Sequence, residues 1–326
     1  MSTQTSNRAT ERMVDVGRGI ELCVQTAGDP SAPPLLLIHG LAMQHIAWPE
    51  EFVAPLLAEF HVIRFDNRDI GLSSRAAAPA PNPVQLVRRR FDARQYDIGD
   101  MALDTANLLD ALDVGPAHVV GVSMGGMIGQ TVAARYSDKV RSLTSIMSTT
   151  GSAKHGQPAR STLLRLAQKP ATARDAVAAR HVAMFRHIGS RGYPFDEAET
   201  RLAGERAFDR AHDPDGVGRQ LAAIMKSGNR TREVAQITAP TLVIHGDDDR
   251  MVHATGGAAT AAAIPGARLE SIPGMGHDFP RPVRARIAAM IVAHAEAADA
   301  GRGVDADVSA GAGSGATQAT ASGAAS

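Results

Sequence analysis

The stretch Gly121-Val122-Ser123-Met124-Gly125 sets a hydroxyl between two glycines in the spacing G-x-S-x-G. An apolar, β-rich run (residues 118–122) precedes it and a helical run (residues 124–136) follows. In that context the pattern describes a sharp strand-to-helix turn that lifts the serine clear of a sheet. A side chain at Gly121 or Gly125 would collide with the neighbouring strand or helix, so both positions require hydrogen. The backbone N–H of Met124 then lies at a helix N-terminus, where developing negative charge is favoured. A serine hydroxyl is a weak nucleophile at neutral pH. It needs a base within hydrogen-bond reach and a third group to orient that base. The chemistry such a set would carry is acyl transfer.

The chain holds 12 histidines. His277 follows Pro273-Gly274-Met275-Gly276, a loop of small residues just after the last predicted strand, and such a loop lets an imidazole swing over a sheet edge. It also lies C-terminal to both the nucleophile and the candidate acids, the order expected around an elbow of this kind. His39 ends a strand beside Gly40 and reads as a structural residue of that turn. Three carboxylates, Asp247, Asp248 and Asp249, follow the strand of residues 241–245, and composition alone does not choose among them. Two of the three read as solvated turn residues. A second oxyanion donor is expected from the loop after residues 35–38, which points to the N–H of Leu41 beside that of Met124.

These groups need elements to hold them. Residues 13–16 and 20–26 flank Gly17-Arg18-Gly19 as a hairpin. Residues 35–38, 62–65, 118–122 and 140–147 are short apolar strands, and residues 48–59, 100–112 and 124–136 have helical spacing. Residues 76–83, rich in Ala and Pro, read as loop. Strand and helix alternating at this spacing imply parallel strands joined by crossovers, in a sheet covered on both faces. Residues 151–235 break the pattern with four helical segments (161–168, 172–187, 196–209 and 215–226) and no convincing strand. Strands return at 241–245 and 268–272, and residues 281–298 close the chain with a helix. The expected organisation is therefore a leader at 1–12, an α/β core at 13–150 and 236–298, a helical insertion at 151–235, and a flexible tail at 299–326 rich in Ala, Gly, Ser and Thr.

Composition narrows the partners. Lys plus Arg equal Asp plus Glu at 34 each, so no global charge favours nucleic acid or an anionic membrane. The insertion carries fifteen Lys and Arg against nine Asp and Glu, read as the solvated face of its helices. The single cysteine, Cys23, lies in an alternating run, reads as a core residue and forms no internal disulfide, which suits a cytoplasmic protein. No run reaches the length of a membrane span. No cluster has metal-ligand spacing and no glycine-rich loop suits a phosphate, so neither a metal nor an organic cofactor is expected.

Taken together, these motifs resemble the α/β-hydrolase superfamily, and specifically its lid-bearing, esterase-like members. The marks are His39-Gly40 after a strand, Asp66-x-Arg68-x-x-Gly71-x-Ser73, Gly121-x-Ser123-x-Gly125, Gly246-x-x-Asp249, and Gly276-His277, in that order. The resemblance covers about residues 13–298. It implies an α/β-hydrolase fold with an eight-stranded, mostly parallel sheet, helices on both faces and an inserted helical cap. It also implies a Ser123–Asp249–His277 triad, since the family's acid usually stands third after the loop glycine. Asp69 stands where the commonest family form has glycine, a variant similar to a bacterial subgroup that includes anthracycline methylesterases. Asp66 and Arg68 read as a structural ion pair or loop brace.

The resemblance implies a serine hydrolase cleaving a small to medium carboxylic ester through an acyl-enzyme, with a small-molecule ester as its partner. The same triad would serve a C–C bond hydrolase, thioesterase, lactonase or perhydrolase. A non-catalytic small-molecule sensor is the rival from another class. Met184, Phe185 and Ile188 read as core packing of the insertion or as pocket lining. Trp48 reads equally as pocket lining or as burial against the sheet.

Overall fold

The computed structural model describes residues 11–313, with side chains to Gly301. Eight strands form one sheet in the order β1-β2-β4-β3-β5-β6-β7-β8. β1 (Glu11–Asp15) and β2 (Glu21–Ala27) form the hairpin, and β2 pairs antiparallel with β4 (His61–Phe65). The remaining pairs are parallel: β3 (Pro34–Ile38) with β4 and β5 (Ala117–Val122), then β6 (Val140–Ile146), β7 (Thr241–Gly246) and β8 (Arg268–Ile272).

The two faces follow from strand alternation. Leu36 and Ile38 of β3 face a core built with α3 (Ile98–Leu112) and α4 (Met124–Arg135), where Ile98, Met101, Leu108, Ile128 and Val132 are buried. Leu35 and Leu37 face the opposite core, with Phe52, Val53 and Leu56 of α1 (Glu50–Leu57) and Ile287 and Ile291 of α11 (Arg281–Gly313). Both faces are thus covered, as the unbroken apolar runs require. α3 starts on a reciprocal cap, with Asp97 accepting from Asp100 N–H and Asp100 accepting from Asp97 N–H, both at 3.1 Å.

Between β6 and β7 the chain forms α5 (Arg160–Leu166), α6 (Arg174–Ile188), α7 (Glu197–Arg210), α8 (Pro214–Ser227) and α9 (Thr231–Val234) and, among the described residues, no strand. Several expectations need correction. Glu11 and Arg12, assigned to the leader, already belong to β1, where they pair with Gln25 and Val24; residues 1–10 lie outside the described residues. The closing helix runs past Ala298 to Gly313; residues 314–326 lie outside the described residues. The loop of residues 76–83 gives way to a short helix, α2 (Pro83–Arg88), capped by Asn82. α10 (Thr255–Ala263) is built of Ala, Gly and Thr, a composition without an apolar period.

Candidate active site

The parallel strands place their following loops along one edge of the sheet, where α/β folds bind ligands. β5 ends at Val122, and Ser123 follows with φ 56° and ψ −118°, a conformation strained for a side-chain-bearing residue. The glycines explain how the turn closes. A Cβ on Gly121 would lie 2.2 Å from Gly125 O, and one on Gly125 would lie 2.0 Å from Ile38 O. Ser123 O accepts from the Ser148 hydroxyl at 2.8 Å, and Ser123 N–H donates to Ile146 O at 2.9 Å, so β6 and the loop after it hold the turn.

His277, on the loop after β8, is brought to Ser123 across 154 residues of chain. Its Nε2 lies 3.0 Å from Ser123 Oγ and its Nδ1 lies 2.6 Å from Asp249 Oδ2. With the proton on Nδ1, His277 donates to Asp249 and accepts from the Ser123 hydroxyl. Asp249 Oδ1 accepts from Met251 N–H and Val252 N–H, each at 2.8 Å. Burial pushes the Asp249 carboxyl up, but the charge of His277 and hydrogen bonds from His245 and His277 outweigh it and hold the group at about 2. The three aspartates of this loop therefore differ. Asp247 accepts from Gly274 N–H at 2.6 Å, and Asp248 pairs with Arg191. Only Asp249 reaches the imidazole.

The loop after β3 lies beside the serine: a Cβ on Gly40 would stand 3.1 Å from Ser123 Cβ. Gly40 N–H donates to His39 Nδ1 at 2.8 Å and Ala42 N–H donates to Gln220 Oε1 at 3.1 Å, so the N–H groups on either side of Leu41 are committed. Met124 is the first residue of α4, where an N–H has no intrahelical acceptor. Burial drives His39 down to about 3, so it is a neutral acceptor of this turn.

Residues 66–69 are braced, but not by the pairing expected. Asp66 does not bond Arg68; it accepts from Arg210 Nη1 at 2.7 Å and from His45 N–H at 2.8 Å. Arg68 instead forks onto Asp104 of α3, and Asp69 takes a fork from Arg219 of α8. Arg210 and Arg219 point inward, as does Arg230, which is buried against Met127 O, Gln130, Thr131 and Thr149 O. The cations of the insertion are therefore not simply its solvated face, because several bind acceptors of the core. Trp48 is buried between His39, Phe52 and Phe279, with ring centroids 4.7, 5.3 and 5.8 Å away. Ile188 is buried, and Met184 and Phe185 are half-buried, with the Phe185 ring 4.6 Å from that of His181.

Among the described residues one group has metal-ligand proximity: Glu11, Cys23 and His45. The Arg210 guanidinium already fills it, 3.1 Å from Glu11, 3.3 Å from Cys23 Sγ and 3.0 Å from His45 Nε2. Gln220, His245, Ser190, Arg210 and Arg219 were not singled out from sequence. Each acts across more than 80 residues of chain or as one of several like side chains, so no local pattern marks it.

With this geometry in place, the comparisons with known proteins agree on a family. The profile described as alpha/beta hydrolase fold matches residues 33–280. The chain is 33% identical over 299 residues to rhodomycin D methylesterase DauP of Streptomyces sp. (strain C5), covering 86% of this chain and 96% of that protein. It is 31% identical over 299 residues, with the same coverage, to rhodomycin D methylesterase DnrP of Streptomyces peucetius. Among solved structures, the enol-lactonase from Burkholderia xenovorans LB400 superposes with a TM-score of 0.69 at 23% identity, covering 86% of this chain and 98% of that one. Among the described residues, no helix is long and apolar enough to cross a membrane.

Proposed function

The chain belongs to the alpha/beta hydrolase fold family, and on that premise we propose that it is a serine hydrolase that cleaves a carboxylic ester through an acyl-enzyme on Ser123. One observation carries this reading. A continuous hydrogen-bond chain runs from Ser123 Oγ through His277 to Asp249, at 3.0 and 2.6 Å, starting from a serine on a strained elbow.

The mechanism follows from the roles these groups can fill. Ser123 Oγ attacks the ester carbonyl carbon while His277 Nε2 takes its proton. Asp249 holds the imidazole in the Nδ1–H tautomer and stabilises the imidazolium. The N–H groups of Leu41 and Met124 receive the developing oxyanion; a missing donor of this kind costs about 10²–10³ in turnover. Collapse expels the alcohol oxygen, which takes the proton from His277. Water then attacks the acyl-enzyme, His277 accepts its proton, and the carboxylic acid leaves with Ser123 restored. No step is routed through a metal or an organic cofactor.

The methylesterases named above support an ester whose alcohol is small. In this reading residues 151–235 form the cap that covers the site and selects what reaches it. With one cysteine and no internal disulfide, the protein suits a reducing compartment, and we take its location to be cytoplasmic. The test is hydrolysis of two series by wild type and Ser123→Ala: p-nitrophenyl esters from acetate to palmitate, and methyl to butyl esters of one common carboxylic acid. Turnover that vanishes in Ser123→Ala and favours the methyl ester is the expected result. Near wild-type turnover in Ser123→Ala would contradict the mechanism, and preference for the butyl ester would contradict the small leaving group.

A further inference from the structure

The loop that carries His277 joins β8 to α11 and contains Gly274 and Gly276. Glycines give such a loop freedom, and freedom is what a base must not have. A five-residue segment leaving α6, residues 188–192, runs alongside it and supplies the hold. His277 N–H donates to Ile188 O at 2.8 Å and Gly192 N–H donates to Gly274 O at 3.0 Å. Gly276 N–H donates to Ser190 Oγ at 2.9 Å. Ser190 in turn gives both its N–H and its hydroxyl to Asp278 Oδ1, at 2.9 and 2.5 Å. Arg191 pairs with Asp248, on the loop that bears Asp249.

The contact is also backbone against backbone. A Cβ on Gly192 would lie 2.7 Å from Gly274 Cα, and a Cβ on Gly276 would lie 2.3 Å from Gly189 C. Glycine on both sides is what lets the two segments touch. Ser190 is buried, so each of its bonds lacks competition from water.

We infer that Ser190 and Asp278 are positioning residues for the base: through them the helical insertion clamps the His277 loop and keeps the imidazole aligned between Ser123 and Asp249. The inference rests on the role proposed above for His277. It gives the insertion a second task, since the element that covers the site also holds the base. Ser190→Ala would leave the Gly276 N–H without its acceptor and free Asp278, and the loop would shift to satisfy them. Misplacing a catalytic group by about 1 Å costs on the order of 10²-fold in rate.

The experiment uses the full-length protein and two readouts. The first is the proton NMR resonance of the His277 Nδ1–H, whose 2.6 Å bond to Asp249 moves it far downfield and whose loss in His277→Gln identifies it. The second is the split between kcat and KM on a p-nitrophenyl ester. Ser190→Ala and Asp278→Ala are expected to shift or broaden the resonance and lower kcat about 10- to 100-fold, with KM within about twofold. Asp278→Asn keeps an acceptor oxygen and should recover most of both. Gly192→Ala removes no polar atom but drives into Gly274, and should move the same resonance. An unmoved resonance in both alanine variants overturns the inference. So does the absence of the resonance in wild type, or a raised KM at unchanged kcat. A wild type that shows the resonance but neither hydrolyses nor labels at Ser123 contradicts the proposed function instead, while the resonance still reads the clamp.

Discussion

Arg219 of α8 forks onto Asp69, its Nε and Nη2 lying 3.0 and 2.8 Å from the two carboxylate oxygens, with both side chains buried. Two charges withdrawn from water in this way are tolerable only together. Arg219→Ala leaves Asp69 buried without its partner and should cost about 3–5 kcal/mol. Arg219→Lys keeps the charge but not the planar fork and should fall between. Urea unfolding midpoints give the comparison. A loss under about 1 kcal/mol in Arg219→Ala would show that the pair does not fasten the insertion to the core.

The Cys23 thiol is pushed up to about 12, first by burial and then by the charges of Asp66 and Glu11. Reactivity belongs to the thiolate. Native protein should therefore resist an aromatic disulfide reagent at pH 8 and release one equivalent only in denaturant. Rapid stoichiometric reaction of the folded protein would contradict the burial of Cys23.

Ser123 holds φ 56° and ψ −118°, a region that favours glycine. Ser123→Ala keeps the strain and Ser123→Gly relieves it, against the added entropy of glycine in the unfolded chain. Ser123→Gly should thus be more stable than Ser123→Ala by about 1 kcal/mol, read as a higher Tm, with neither variant active. The reverse order would remove the case for a strained elbow.

Asp249 is held at about 2 against an ordinary value of 3.8. A depressed carboxyl stabilises the fold at pH above its unfolded value and loses that contribution as pH falls through its folded one. The contribution is about 2 kcal/mol, present above about pH 4 and gone near pH 2. The difference in unfolding free energy between wild type and Asp249→Asn should therefore narrow as pH falls through that window. A difference that stays constant from about pH 6 to pH 2 would contradict the environment described for Asp249.

The parts legible in the sequence were those written locally. The elbow is five consecutive residues, and the two-faced core follows from Leu35-Leu36-Leu37-Ile38 in one strand. The choice among Asp247, Asp248 and Asp249 was not local. It is made by the turn that gives Asp249 the N–H groups of Met251 and Val252, and by Arg191, 57 residues away, taking Asp248. Asp66 and Arg68 looked like partners because they are neighbours in sequence, yet each found a better-placed opposite charge on a packed helix. α2 is six residues long with Val84 and Val87 exposed, and α10 is built of Ala, Gly and Thr, so neither shows the apolar period of a buried helix face.

The most direct test of the acyl-transfer chemistry is labelling of the intact protein with a fluorophosphonate, read by mass spectrometry of its peptides. One adduct on Ser123 is expected in wild type, none at that position in Ser123→Ala, and labelling slowed by about 10³-fold or more in His277→Ala. An unlabelled wild type, or equal labelling rates in wild type and His277→Ala, would mean that the Ser123–His277–Asp249 chain does not activate the serine.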